Sequence, residues 1–182
     1  MNRPLCFIDT ETTGLDPNVA EVIEIAISRR EPDGSESHYY TLVQPENIEA
    51  ASPKALEMNG YQDDPSRWLN APPLAEVGES ILSFLDGGIL VGHNVGFDEQ
   101  MLSANLKRAG VGGRVPYHKI DTVTLVYEHL FPQGLEWASL GAVRTFLGWD
   151  STGAHTAQKD VEDTMRLFDL LWRSGTSSIP QR

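Results

Sequence analysis

Asp9 and Glu11 flank Thr10 just beyond a short apolar run, Leu5-Cys6-Phe7-Ile8. Side chains two residues apart on a strand point to the same face, so this spacing brings two carboxylates together. Like charges that close repel unless a cation stands between them, and a hard divalent cation suits an all-oxygen pair. An isolated Asp-x-Glu is more often the mark of a solvated strand end followed by a polar turn. A further acid, Asp98, follows the corner Gly92-His93-Asn94-Val95-Gly96-Phe97, where the apolar Ile89-Leu90-Val91 passes into a helical pattern. Strand-to-helix corners are where α/β proteins hold ligands. His93 and Asn94 also read as simple caps of that helix. The third element is His155-Thr156-Ala157-Gln158-Lys159-Asp160. It places Asp160 about one turn into the last helix and His155 on the loop before it. Glu162 and Asp163 read as acids that complement the helix dipole.

These groups need strands and helices to hold them. The run at 5–8 reads as a strand that stops at Asp9, followed by turn chemistry in Thr12-Thr13-Gly14-Leu15-Asp16-Pro17. Residues 22–28, Val-Ile-Glu-Ile-Ala-Ile-Ser, form a second strand, and Pro32-Asp33-Gly34 turns it into a hairpin partner at 37–43. Ser52-Pro53 opens a short helix that Gly60 closes, and Pro72-Pro73 introduces a second, stopped by Gly87-Gly88. A buried strand at 89–91 precedes a helix ending near Ala109, and 115–120 offers one more strand. Helices are expected at 122–130, 138–147 and 156–173.

The chain has 182 residues, enough for one domain with one core. Its single cysteine, Cys6, excludes an intramolecular disulfide and a Cys-based zinc site. No apolar run is long enough to span a bilayer, and the start, Met1-Asn2-Arg3-Pro4, lacks the shape of a signal peptide. Gly-x-x-x-x-Gly-Lys, Gly-x-Gly-x-x-Gly and Gly-x-Ser-x-Gly are all absent, so neither a phosphate-binding glycine loop nor a serine nucleophile elbow is present. The net charge of −12 argues against a broad basic face that grips nucleic acid. It leaves room for phosphate held through bound cations. From Gln100 to Ile120 the chain carries Lys107, Arg108, Arg114, Lys119 and His118 with no acid, a weak candidate for backbone contact.

Each element alone is unspecific, but the set and its order resemble the DnaQ-like exonucleases. Within them it resembles the DEDDh branch, which has His rather than Tyr before the last Asp. Ile8-Asp9-Thr10-Glu11-Thr12-Thr13-Gly14-Leu15 reads like that family's first motif without a mismatch, and the resemblance runs from about Leu5 to Leu171. It implies an α/β, RNase H-like fold, a mixed β-sheet flanked by α-helices, over 1–174 with a flexible tail at 175–182. It implies metal-dependent 3′→5′ hydrolysis of phosphodiester bonds in single-stranded DNA, releasing nucleoside 5′-monophosphates. On this resemblance Asp9, Glu11, Asp98 and Asp160 hold two Mg²⁺ or Mn²⁺ ions and His155 is the general base. Thr12 and Leu15 resemble the elements that hold the terminal nucleotide, and Asn94 resembles the polar residue beside the third carboxylate. Asn59 stands where many members have His and can donate to a sugar or phosphate. The implied partners are single-stranded 3′ ends, DNA before RNA, and a polymerase or other processing partner, with no membrane and a cytoplasmic location. An exoribonuclease on the same fold is the alternative, because the 2′-OH is read by a few local contacts. A non-catalytic nucleic-acid-binding module is the reading from another class, and the intact five-residue set speaks against it.

Overall fold

The apolar run at 5–8 becomes the centre of a mixed five-stranded sheet. The structure, a computed structural model, describes residues 2–172. The tail expected at 175–182 lies outside the described residues. The strands are β1 (Leu5–Thr12), β2 (Val22–Arg30), β3 (Glu36–Leu42), β4 (Ile89–Gly92) and β5 (Lys119–Asp121), in the order β3-β2-β1-β4-β5. β2 runs antiparallel to both β1 and β3, while β4 is parallel to β1 and β5 parallel to β4.

β2, β3 and β4 fall within two residues of the expected limits, while β1 and β5 depart from them further. β1 does not stop at Asp9; Asp9 pairs with Ala26 and Glu11 with Glu24 before the register shifts at Thr12. The ladder is made of backbone groups, so the long apolar β2 extends its neighbour through two acids. β5 is shorter than the 115–120 expected, because Pro116 interrupts the run and cannot donate to a ladder.

Alternation along β1 splits its residues between two layers. Cys6 and Ile8, with Ile25 and Ile27, pack against α2 (Leu74–Leu85) and α3 (Val95–Arg108). Leu5 and Phe7, with Ala26 and Val91, pack against α6 (Ala157–Trp172), where the Phe7 and Phe168 rings meet edge-on at 5.4 Å. Each such buried side chain is worth roughly 1.5–3 kcal/mol. α4 (Thr122–His129) and α5 (Leu140–Leu147) close the α6 side through Val126, Val143 and Leu167. The short α1 (Pro53–Met58) begins after Ser52, as expected, and ends at Asn59. Among the described residues no helix is long and apolar enough to cross a membrane.

Buried Asn105 fixes α3 against the sheet. Its Nδ2 donates to Met101 O at 2.8 Å and Ala20 O at 3.2 Å, and its Oδ1 accepts from Val22 N at 3.1 Å. The helix that carries Asp98 is thereby tied to the start of β2.

Candidate active site

Asp9 and Glu11 lie on the face of β1 that looks toward α6, and Asp160 enters from the first turn of that helix. One carboxylate oxygen from each of the three lies within 4.8 Å of the others. Asp98 is not part of that trio, but its charge is the largest cause, after burial, that raises the Asp9 carboxyl. Asp98 is buried in the first turn of α3, where Thr10 N and Thr10 Oγ1 donate to its Oδ1 at 2.9 and 2.8 Å. The corner before it is tight: a Cβ on Gly92 would stand 2.9 Å from Val95 Cβ and 3.1 Å from Ile8 O. The four expected acids therefore converge on one end of β1.

Their electrostatics fit a cation-holding site. Burial pushes Asp9 well above the usual carboxylate range, and the charges of Asp98, Glu11 and Asp160 add to it. Burial, then the Asp160, Glu24 and Asp98 charges, push Glu11 up to about 8. Burial raises Asp98 to about 7, with the Thr10 hydrogen bonds pulling the other way. Carboxyls crowded like this are costly as anions without a counter-charge. The donor set is all carboxylate oxygen, which suits Mg²⁺ or Mn²⁺ rather than a soft metal.

His155 is exposed on the loop before α6, in the left-handed backbone region with φ 65°, and its backbone N donates to Asp160 Oδ1 at 3.3 Å. The His155 backbone thus borders the acidic cluster, and the residue is open to solvent. Thr12 is buried at the end of β1, its hydroxyl donating to Gly14 O at 2.7 Å. Leu15, 84% exposed, stands out into solvent. Asn59 is buried, with Nδ2 donating to Thr12 O at 3.0 Å and Oδ1 accepting from Tyr61 N at 3.1 Å. Both ends of its amide are engaged within the protein and brace the Thr12 strand end. Asn94 is exposed at φ 71°, just ahead of α3, and its backbone N donates to Asp121 Oδ1 at 3.0 Å.

His93 is a structural tie rather than a base. Its Nε2 lies 2.5 Å from Ala138 O, which can only accept, so Nε2 carries the proton and Nδ1 faces Thr122 Oγ1 at 3.0 Å. Burial holds its pKa below the usual range.

Two residues near the site escape the sequence reading. Asp163 does not serve the helix dipole at the surface; it is buried and paired with Arg144 and Lys159. Glu24 is buried directly across the ladder from Glu11. A signal exists for Glu24, a charge inside the apolar run Val-Ile-Glu-Ile; for Asp163 the sequence shows only that Arg144 falls on the apolar spacing Leu140, Val143, Leu147, not which acid meets it. The basic stretch is largely spoken for, with Arg108 donating to Pro17 O and Ala20 O and Lys119 pairing with Glu99 at 2.9 Å, while Lys107 and Arg114 stay exposed.

Residues 6–168 match the family model described as exonuclease (RNase_T). The chain belongs to that DnaQ-like exonuclease family, and its fold is RNase H-like. It is 30% identical to the DNA polymerase III subunit epsilon of Treponema pallidum over 165 residues, covering 90% of this chain and 74% of that protein. It is 32% identical to the DNA polymerase III PolC-type of Thermotoga petrophila, over 92% of this chain but only 12% of that much longer polypeptide. The zinc-ion-bound E. coli ExoI–ssDNA complex shares the fold with a TM-score of 0.75 at 20% identity, over 98% of this chain and 42% of that one.

Proposed function

We propose that this chain is a metal-dependent 3′→5′ exonuclease that removes nucleoside 5′-monophosphates from the ends of single-stranded DNA. The observation that carries the reading is the convergence of Asp9, Glu11 and Asp160 within 4.8 Å, with Asp98 beside them. These four residues would hold two Mg²⁺ or Mn²⁺ ions, which when bound supply Lewis acidity to the attacked phosphate and the departing oxygen. Thr10 orients Asp98 by two donated hydrogen bonds, and Asn59 holds the Thr12 carbonyl. Leu15 presents an apolar side chain against which the last base can pack. His155 takes the proton from the attacking water at an imidazole nitrogen. The water oxygen bonds to phosphorus, the P–O3′ bond breaks, and the departing O3′ takes a proton from solvent, so the shortened strand ends in a 3′-OH and the nucleotide leaves as its 5′-monophosphate.

DNA is favoured because the relatives are named as parts of DNA polymerase III and the E. coli structure holds single-stranded DNA. A replication polymerase as partner rests on the same names. The test is 5′-labelled single strands of DNA and RNA, each with Mg²⁺ or with EDTA. Stepwise shortening of DNA in Mg²⁺ alone supports the proposal. Faster loss of RNA transfers the substrate to the exoribonuclease reading, and no cleavage with any divalent ion removes the enzymatic one.

A further inference from the structure

Arg144 is an anomaly in the packing of α5 on α6. It is only 1% exposed and falls where the helix otherwise presents apolar residues. Its Nε donates to Asp163 Oδ2 at 2.6 Å and its Nη2 donates to Asp160 Oδ1 at 2.6 Å. The two acids lie three residues apart on one face of α6, so a single planar guanidinium spans both. Lys159 completes the group by donating to Asp163 Oδ1 at 2.9 Å.

Stability does not account for this arrangement. A buried ion pair exchanged for apolar side chains of similar size often leaves a protein as stable as before, or more so. Structural need would also be met by Asp163 alone. The guanidinium instead spends its second arm on Asp160, a member of the carboxylate cluster. Both protein donors that reach Asp160, Arg144 and the backbone N of His155, use the same oxygen, Oδ1. Neither of them uses Oδ2, and an Asp160 oxygen lies within 4.8 Å of oxygens of Asp9 and Glu11.

We propose that Arg144 is a positioning residue for the metal site: it fixes the rotation of the Asp160 carboxylate so that one oxygen is committed to the protein and the other to the cation. The inference rests on the metal-site reading above. Asp163 serves Arg144 as counter-charge and as the anchor that sets its reach. Through the shared Oδ1 the same clamp sets where the His155 loop joins α6.

Removing Arg144 alone leaves the buried Asp163 with Lys159 as its one remaining cationic partner among the described residues, so the informative variant exchanges the pair, Arg144→Met with Asp163→Leu. It should melt in EDTA within a few degrees of the wild type. In calorimetric titration without nucleic acid it should bind Mn²⁺ about 10–100-fold more weakly, the loss typical when a residue supporting a metal ligand is removed. Its kcat should fall while KM for the strand moves little, with activity partly recovered at raised Mn²⁺. A folded pair variant with wild-type Mn²⁺ affinity makes Arg144 purely structural and overturns the inference. If the pair variant does not fold, Arg144→Lys keeps the charge without the fork and should also weaken Mn²⁺; unchanged affinity there overturns the inference equally. A wild-type protein that binds no Mn²⁺ in the same titration instead removes the metal-site reading on which both rest.

Discussion

Glu24 stands directly across the β1–β2 ladder from Glu11, and its Oε1 accepts the Ala157 N–H at 3.1 Å. A strand carboxylate therefore satisfies one of the free amides at the start of α6, where the helix dipole favours negative charge. Its buried Oε2 has Arg67 Nη2 4.0 Å away, and the Tyr40 hydroxyl also interacts with this carboxylate. Like charges directly opposite in a sheet are unfavourable, so the position trades stability for the placement of α6, and with it Asp160.

Replacing Glu24 separates these effects. Glu24→Ala loses the acceptor for Ala157 N and should destabilise the protein by about 1–2 kcal/mol in urea unfolding. Glu24→Gln retains an oxygen acceptor and removes the charge facing Glu11, so it should lie within about 1 kcal/mol of the wild type. Equal losses in the two variants would show that the contact to α6 contributes nothing.

The raised carboxyls make a signed prediction for pH. Glu11 goes from an ordinary 4.5 to about 8 and Asp98 from 3.8 to about 7, both upward. The native state then holds protons that the unfolded state has released. Metal-free stability is accordingly highest below the ordinary carboxyl values and falls as pH rises through the native ones, by up to about 1.4 kcal/mol per unit for each proton. Divalent cation replaces those protons, so its stabilising effect should grow from about pH 5 to about pH 8. Melting curves in EDTA and in Mg²⁺ check this; a metal-free melting temperature that rises across the window contradicts it.

The order of elements is legible from local pattern, and the grouping of the acids is legible through the family resemblance that their set and order carry. Apolar runs end just before Asp9 and at the corner that leads to Asp98, and the last helix declares Asp160 in its first turn. The continuation of β1 through Asp9 and Glu11 is not legible there, because it depends on β2 supplying a backbone partner. Arg144 and Asp163 lie nineteen residues apart on different helices, and nothing local announces their pairing. Asn59 reads as a donor to substrate, whereas the fold sets both ends of its amide on protein atoms.

His155 offers a clean division between chemistry and binding. Its side chain is exposed and only its backbone N reaches Asp160, so His155→Ala should leave the fold and the carboxylate cluster in place. Turnover in Mg²⁺ should drop by about two to four orders of magnitude, as when a general base is removed. Affinity for a single strand in Ca²⁺ should change little. A variant that cleaves at the wild-type rate would end the assignment of the base.

Polarity is the most direct test of the whole account. A 5′-labelled linear strand with a free 3′-OH, incubated with the protein and Mg²⁺, should shorten one nucleotide at a time. A circular single strand of the same sequence should survive, because it offers no end to seat beside Leu15 and the four acids. Circles cut as fast as linear strands would contradict the exonuclease reading, whatever the metals do.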